Sequence, residues 1–211
     1  MFQFLVKDFM VVLFFAAAHI CLLGKEIHWE KVKVEKGVSV YRAKVNELIA
    51  FRGIGEMKGN AEDLVSIIEN PAGWKNWITN LKTGKLIEQI SPSHKIFYQS
   101  IHSPFPFSDR DVVYESRILR DLSKTTRVEM KSVTHPNAPS SIGVRINILF
   151  TRYKIDKIDD NTVLVTFETL SDPGGALPRF VVNWASASYP ITLLEGLRDQ
   201  LKAIQKIQTK E

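Results

Sequence analysis

The sequence predicts an α+β fold: a curved antiparallel sheet wrapped around one long C-terminal helix, with a helix pair inserted after the first strands. Three observations carry this. Short β-like runs separated by polar turns dominate the stretch from Val38 to Leu170. Two helical patterns interrupt them between Asn60 and Leu81. The longest apolar stripe at three- and four-residue spacing comes last, from Leu177 to Ile204, and an amphipathic helix of that length needs an apolar surface to lie against.

The 211 residues suit one domain, or one domain with a targeting segment. Phe9 to Leu23 read FMVVLFFAAAHICLL, with Lys7 ahead and Lys25 and Glu26 behind. The run is shorter than the ~20 residues a membrane span needs and suits the apolar stretch of a secretory signal. Residues 1–24 are therefore expected to be a signal peptide, with an uncleaved anchor through residues 9–23 as the alternative. Residues 25–211 are the expected folded domain, exported to a periplasm or secreted. Cys21, the single cysteine, lies in the apolar run, so no intramolecular disulfide is available.

Within the domain, Gly37 opens the run VSVYRAKV, Asn46-Glu47 turns the chain, and LIAFRGIGEM follows. Gly53 and Gly55 in that second run predict a bend or bulge. Asn60 is a good N-cap, with Glu62 and Asp63 in the first helical turn. Leu64, Val65, Ile67 and Ile68 give the stripe, ended by Asn70-Pro71. GWKNWITNL predicts a short second helix with Trp74, Trp77 and Ile78 on one face.

Strands are then expected at Lys85–Ile90 and Lys95–Ile101 and, after the loop HSPFPFSDRD, in VVYESRILR, TTRVEMKSV, GVRINILFTRYKI and NTVLVTFETL. Arg127, Glu129 and Lys131 alternate with Val128 and Met130, a strand wet on one side and packed on the other. Val144, Ile146, Ile148 and Phe150 share a face at period two. Polar turns at 121–124 and 159–161 imply antiparallel neighbours. Asp172-Pro173-Gly174-Gly175 ends the last strand. Leu177, Phe180, Trp184, Ile191, Leu194, Leu197 and Leu201 then carry the final stripe, and Pro190 inside it predicts a kink.

Composition excludes several function classes. The net charge of +5 is spread along the chain without a like-charged run, so nucleic acid is not an expected partner. A mild excess of cations suits transient contact with an anionic membrane surface; a merely soluble basic surface is the other reading. His94, His102 and His135 are isolated and lack metal-ligand spacing. No G-x-S-x-G, phosphate-cradling loop or dinucleotide fingerprint occurs. Neither metal nor cofactor is expected.

Three stretches carry a family resemblance. WEKVKVEKGVSVYR (29–42) resembles the start of a START (StAR-related lipid transfer) domain. SPFPFSDRDVVY (103–114) resembles that family's Pro-rich loop and Arg-Asp strand, and SDPGGALPRFVVNWA (171–185) resembles the start of its C-terminal lid helix. The likeness runs from about His28 to Ile204 and looks closest to the phosphatidylcholine-carrier-like branch. It implies a helix-grip fold and an internal tunnel for a lipid, closed by the C-terminal helix and the loop Ser103 to Arg110. It also implies an Arg and an Asp on the short helix of phosphocholine-binding members. Trp74 and Ile78 stand at those positions, which favours a less charged ligand such as a sterol or acyl chain.

The expected ligand contacts follow from these patterns. Trp74 and Trp77 come from the inserted helices, and Met130, Ile146 and Ile148 from the strands. Phe180, Trp184, Ile191 and Leu194 come from the final helix. Phe105 and Phe107, two aromatics in a Pro-rich loop, pack under the lid or touch membrane. Asp109, Arg110 and Asp111 read as a network pinning that loop. Arg145 either supplies a polar group inside the cavity, as the family implies, or lies on the outer face; buried, it would need a carboxylate such as Glu115, Glu129 or Glu168. The leading expectation is a monomeric, non-catalytic lipid carrier. A polyketide cyclase or aromatase of the same superfamily is the alternative, and would need convergent acid and base groups in the cavity. A regulatory ligand-binding module is a third reading.

Overall fold

In the computed structural model, the described residues are 27–122, 124–175 and 179–208, excepting the side chains of 179–186 and 208. The targeting segment expected over residues 1–24 and the side chains of Phe180 and Trp184 lie outside them.

One sheet holds ten strands: β1 (Glu30–Glu35), β2 (Val38–Val45), β3 (Leu48–Lys58), β4 (Leu81–Ser91), β5 (His94–Ile101), β6 (Arg110–Arg120), β7 (Thr125–Ser132), β8 (Val144–Arg145), β9 (Asn147–Asp159) and β10 (Thr162–Asp172). Their order is β1-β2-β3-β10-β9-β7-β6-β5-β4, open at both edges, with β8 lying parallel beside β6. Every other pairing is antiparallel. Helix α1 (Ala61–Ile68) and a single 3-10 turn (Trp74–Asn76) carry the chain from β3 to the far edge at β4. Helix α2 (Arg179–Gln208) closes the chain and packs on β2 and β3.

Tight turns set the registers. Glu35 pairs with Val38, leaving Lys36 and Gly37 at φ 52° and 69° as a two-residue hairpin turn of the kind that matches strand twist. Asn46, at φ 55°, makes the next turn between Val45 and Leu48. The Asn60 side chain caps α1 by accepting from the Asp63 N–H at 2.9 Å.

The two faces of the sheet differ. Val38, Val40, Met57, Phe97, Tyr114, Val128, Tyr153, Ile155, Val165 and Phe167 point inward and join Ile191, Leu193, Leu194, Leu197 and Leu201 of α2 in one core. The outer face carries two smaller apolar clusters, around Ala43, Ala50 and Leu170 and around Ile96, Tyr98 and Val113. Between them runs a row of charges. Arg117 (β6), Glu129 (β7), Arg152 (β9), Glu168 (β10) and Arg52 (β3) are successive cross-strand partners, alternating in sign. Arg52 Nε donates to Glu168 at 2.7 Å.

Three local expectations change. The predicted second helix is only the one 3-10 turn, because Pro71 precedes it and β4 begins at Leu81. The Gly53–Gly55 run has no bulge: pairing with both neighbours is continuous there. A Cβ on Gly53 would stand 2.9 Å from Pro190, and one on Gly55 2.7 Å from Arg198 Nη2, so these glycines let α2 approach the sheet. β9 instead shifts register between Phe150 and Ile148. Ile146 and Ile148 therefore join the inner core while Phe150 joins the outer cluster.

Candidate functional site

The inner face of the sheet and α2 enclose the candidate site. Its polar groups come from five segments: the end of α1, β5, β6, β9 and α2. Glu69, just past α1, is buried at 8% exposure. Its Oε1 accepts from Ser116 Oγ of β6 at 2.5 Å. Its Oε2 lies 3.1 Å from Lys95 Nζ of β5, an ion pair without hydrogen-bond alignment. A carboxylate this buried needs such a cation.

Beside it stand three tyrosines: Tyr114 on β6, Tyr153 on β9 and Tyr189 on α2. Two aromatic strings hold them. The Tyr114 ring lies 5.8 Å from Phe97, which meets Trp74 edge-on at 5.1 Å. Phe167 lies between Tyr153 and Tyr189, at 5.1 and 5.9 Å. Burial pushes the Tyr114 hydroxyl well above its ordinary pKa, and Tyr153, Glu69 and Tyr189 add to the shift. Burial, then Tyr189, raises Tyr153 likewise. Burial pushes Tyr189 up to about 12, although 40% of its surface remains uncovered.

The sequence candidates distribute as follows. Trp74 is 1% exposed, donates from Nε1 to the Ile68 carbonyl at 2.8 Å, and lies on Gly84, where a Cβ would collide with its ring. It is a packed plug. Trp77 is buried with its backbone against Gly196 of α2, and its indole N–H has no hydrogen-bond partner. Met130, Ile146 and Ile148 are partly buried inner-face residues packed against the core. Ile191 and Leu194 are fully inside it.

Arg145 lies with β8 at the rim, not among the inner residues. Its Nε donates to buried Asp111 at 2.6 Å and its Nη2 to the Pro139 carbonyl at 2.7 Å. Its partner is thus Asp111 rather than Glu115, Glu129 or Glu168, and the bond ties the 133–143 segment to β6. Alternation along β6 directs Asp111 away from Val112 and Tyr114, which face the core.

The loop after β5 is tied at its base and bare at its tip. Asp109 accepts from Lys82 Nζ at 2.6 Å and from the Ser103 N–H at 3.0 Å, and His102 Nδ1 lies 3.0 Å away. Chiefly through Lys82, these contacts lower its pKa to about 2. Arg110 donates to the Ser108 carbonyl and to Ser103 Oγ. Phe105 at the tip is 97% exposed, whereas Phe107 is partly covered.

Sequence reasoning missed Glu69, Lys95 and the tyrosines. None of them belongs to a motif or a spacing that marks it out, and they meet only when α1, the strands and α2 are packed together. Elsewhere, a cleft of about 220 Å³ opens on the outer face, lined by Arg127, Glu129, Arg152, Lys154 and Glu168. It lies on the charged side of the sheet, away from α2. Among the described residues no His, Cys, Asp or Glu group could hold a metal ion, and no helix is long and apolar enough to cross a membrane.

Comparison with known proteins gives a consistent assignment. An uncharacterised protein of Pseudomonas aeruginosa is 26% identical over 172 residues, covering 81% of this chain and 85% of the relative. The mouse phosphatidylcholine transfer protein is 26% identical over 190 residues, 86% of each chain. The solved structure of human STARD10 matches with a TM-score of 0.77 at 23% identity, over 94% of this chain and 82% of that one, a likeness of fold. The START domain family model matches residues 22–210. With that match spanning nearly the whole folded region, the chain belongs to the START domain family.

Proposed function

We propose that this protein binds a hydrophobic, lipid-like molecule in an interior space beneath α2 and carries it between membranes, without altering it covalently. The observation that carries the reading is Tyr189. Its ring meets Phe167 of the inner sheet face at 5.9 Å, yet 40% of its surface has no protein neighbour, which leaves an aromatic surface where α2 meets the sheet free to contact an apolar ligand. The partly buried Met130, Ile146 and Ile148 on the facing strands supply an apolar wall for the same space. Relatives named for phosphatidylcholine transfer and ceramide transfer support the ligand class.

In this reading Phe180, Trp184, Ile191 and Leu194 belong to the closing helix, with Trp77 facing it from just past the 3-10 turn. The first half of α2 moves about Pro190 and Gly174-Gly175, while the second half stays on the sheet. Phe105 enters the membrane surface and Phe107 braces the loop from within. The protein works as a monomer, outside the cytoplasm, delivered or anchored by its first 24 residues.

Native mass spectrometry of the purified protein, followed by organic extraction, tests the central point. A lipid at one copy per chain is expected. Protein that emerges empty and takes up no fluorescent lipid from vesicles would overturn it.

A further inference from the structure

We infer that the apolar run at residues 9–23 stays on the protein as a membrane tether, and that the domain stands on the tethering bilayer with the end that carries Phe105. This rests on the carrier reading above and fixes one of the two membranes it serves.

Strand direction defines the two ends of the sheet. Apart from β8, every pairing is antiparallel, so directions alternate along the order β1-β2-β3-β10-β9-β7-β6-β5-β4. Strands β1, β3, β9 and β6 therefore begin at the end where β2, β10, β7 and β5 finish. The chain enters β1 at that end, and the loop between β5 and β6, with Phe105 at its tip, lies there too. Ile27 and Trp29, just ahead of β1, pack there against Ala43, Ala50 and Leu170. So does the hinge proposed for α2: Gly174 follows β10 at this end, where a Cβ on it would stand 2.6 Å from Val144. The β1–β2, β6–β7 and β9–β10 turns lie at the far end.

Chain length decides which end a bilayer can meet. Only Gly24, Lys25 and Glu26 separate the apolar run from Ile27, and a link that short reaches at most about 14 Å. Strand β10, with 11 residues, runs about 36 Å from one end to the other. A run seated in a bilayer therefore holds the near end at the surface, and the far turns are beyond its reach. The near end also presents apolar surface: Phe105 is 97% exposed, Ile142 50% and Leu149 45%. Ile142 is held in place, its N–H donating to the Asp111 carboxylate at 2.8 Å. A domain standing on this end puts all three side chains into the surface at once.

The sequence of the run favours its retention. A signal cleavage site takes small residues in an A-x-A pattern. Ala16-Ala17-Ala18 provides one, but a cut there leaves HICLLG in front of Lys25, and the residues just before Lys25 offer no such pattern. A tether this short makes the anchoring membrane a permanent partner. Lipid passes between it and the hinge end of α2 directly, and transfer onward requires a second membrane to approach the anchored protein.

The test uses the full chain with Cys21→Ala, reconstituted in vesicles of phosphatidylcholine and phosphatidylglycerol that contain a spin-labelled quencher lipid. Single cysteines introduced as Ile142→Cys, Leu149→Cys, Leu122→Cys or Asp160→Cys, all at exposed positions, carry a fluorophore. Labels at 142 and 149 should be quenched severalfold more strongly than labels at 122 and 160. Leu122 is apolar and fully exposed at the far end, so it separates a tethered orientation from the general attraction of apolar surface to lipid. Equal quenching at the two ends, or stronger quenching at 122, would overturn the inference. A second variant, Val12→Asp with Phe15→Asp, leaves the sequence of the folded domain intact and should lose cosedimentation with the vesicles severalfold; unchanged cosedimentation would overturn the tether. An intact mass showing that protein from the membranes of expressing cells begins after Leu23 would do the same. None of these readouts depends on lipid capture, so a lipid carrier without a tether is still recognised by the extraction experiment above, and failure of that experiment alone overturns the carrier reading.

Discussion

The guanidinium of Arg198 occupies the place a side chain on Gly55 would take. It donates to the carbonyls of Glu56, Lys36 and Gly37 at 3.0, 2.7 and 3.0 Å. Lys36 also reaches Glu195 of the same helix, at 2.9 Å. With Leu194, Leu197 and Leu201 buried on the sheet, the second half of α2 is fixed to the β1–β2 turn and β3.

Replacing either partner should loosen that half of the helix. Arg198→Ala is expected to cost about 1.5–3 kcal/mol, the range for hydrogen bonds from a charged donor. Gly55→Ala should displace the same guanidinium and cost about 1–2 kcal/mol. Because both act on one contact, the double variant should fall short of the sum by more than ~0.5 kcal/mol. Urea unfolding of the four proteins measures this, and strict additivity would show that the two sites are independent.

Trp74→Arg should fail to recreate a phosphocholine site. The indole is 1% exposed and lies on Gly84 and Phe97, so an unpaired guanidinium there is expected to cost about 3–5 kcal/mol. Adding Ile78→Asp should recover only part of the loss. Denaturant midpoints decide; a shift below ~1 kcal/mol would mean the ring is not a structural plug.

Phe105→Ser should separate membrane contact from folding. The exposed ring contributes nothing to the core, so stability should change by less than ~0.5 kcal/mol. Inserting a phenyl ring into a bilayer surface contributes about 1.5–3 kcal/mol. Vesicle cosedimentation should therefore weaken by about tenfold to a hundredfold. Unchanged binding would remove this loop from the membrane contact.

Asp109 should titrate far below an ordinary carboxyl. Its folded pKa is depressed, so its contribution to loop order is complete above the unfolded value near 3.8 and is lost as pH falls through about 2. Between pH 7 and 5 Asp109 itself should stay fully ionised. Carbon-detected NMR of the Asp109 carboxyl should give a midpoint near 2; one near 3.8 would mean Lys82 and the Ser103 amide do not engage it.

The sequence exposes elements governed by local chemistry and hides contacts that need two distant segments. The Asn60 cap, the α1 stripe, the polar turns and the final apolar stripe all lie within a few residues of their causes, and were legible. β1 was not, because EKVKVE is a charged edge strand with little apolar surface to betray it. Gly53 and Gly55 look like a bulge until Pro190 and Arg198 arrive from far along the chain. The Ile146–Phe150 run looks single-faced until the β9 register shift divides it. The buried Glu69–Lys95 pair joins α1 to β5, and no period in either segment announces it. The Arg145 carboxylate partner was foreseen as a type of residue, but β8 selects Asp111 by lying parallel to β6.

The alternating row of charges on the outer face bears on how this sheet avoids misassembly. β7 lies between Arg117 of β6 and Arg152 of β9, and meets both with Glu129. Two residues away in either direction on the same face are Arg127 and Lys131. Sliding β7 by one pleat repeat keeps its apolar side inward, so hydrophobic burial alone tolerates the error. The slide would, however, set a cation against both arginines at once, turning two attractions into two repulsions across adjacent strands. A single glutamate flanked by cations thus acts as a spelling check on strand alignment in the middle of a ten-stranded sheet. Reversing its sign should slow productive folding more than it weakens the finished protein.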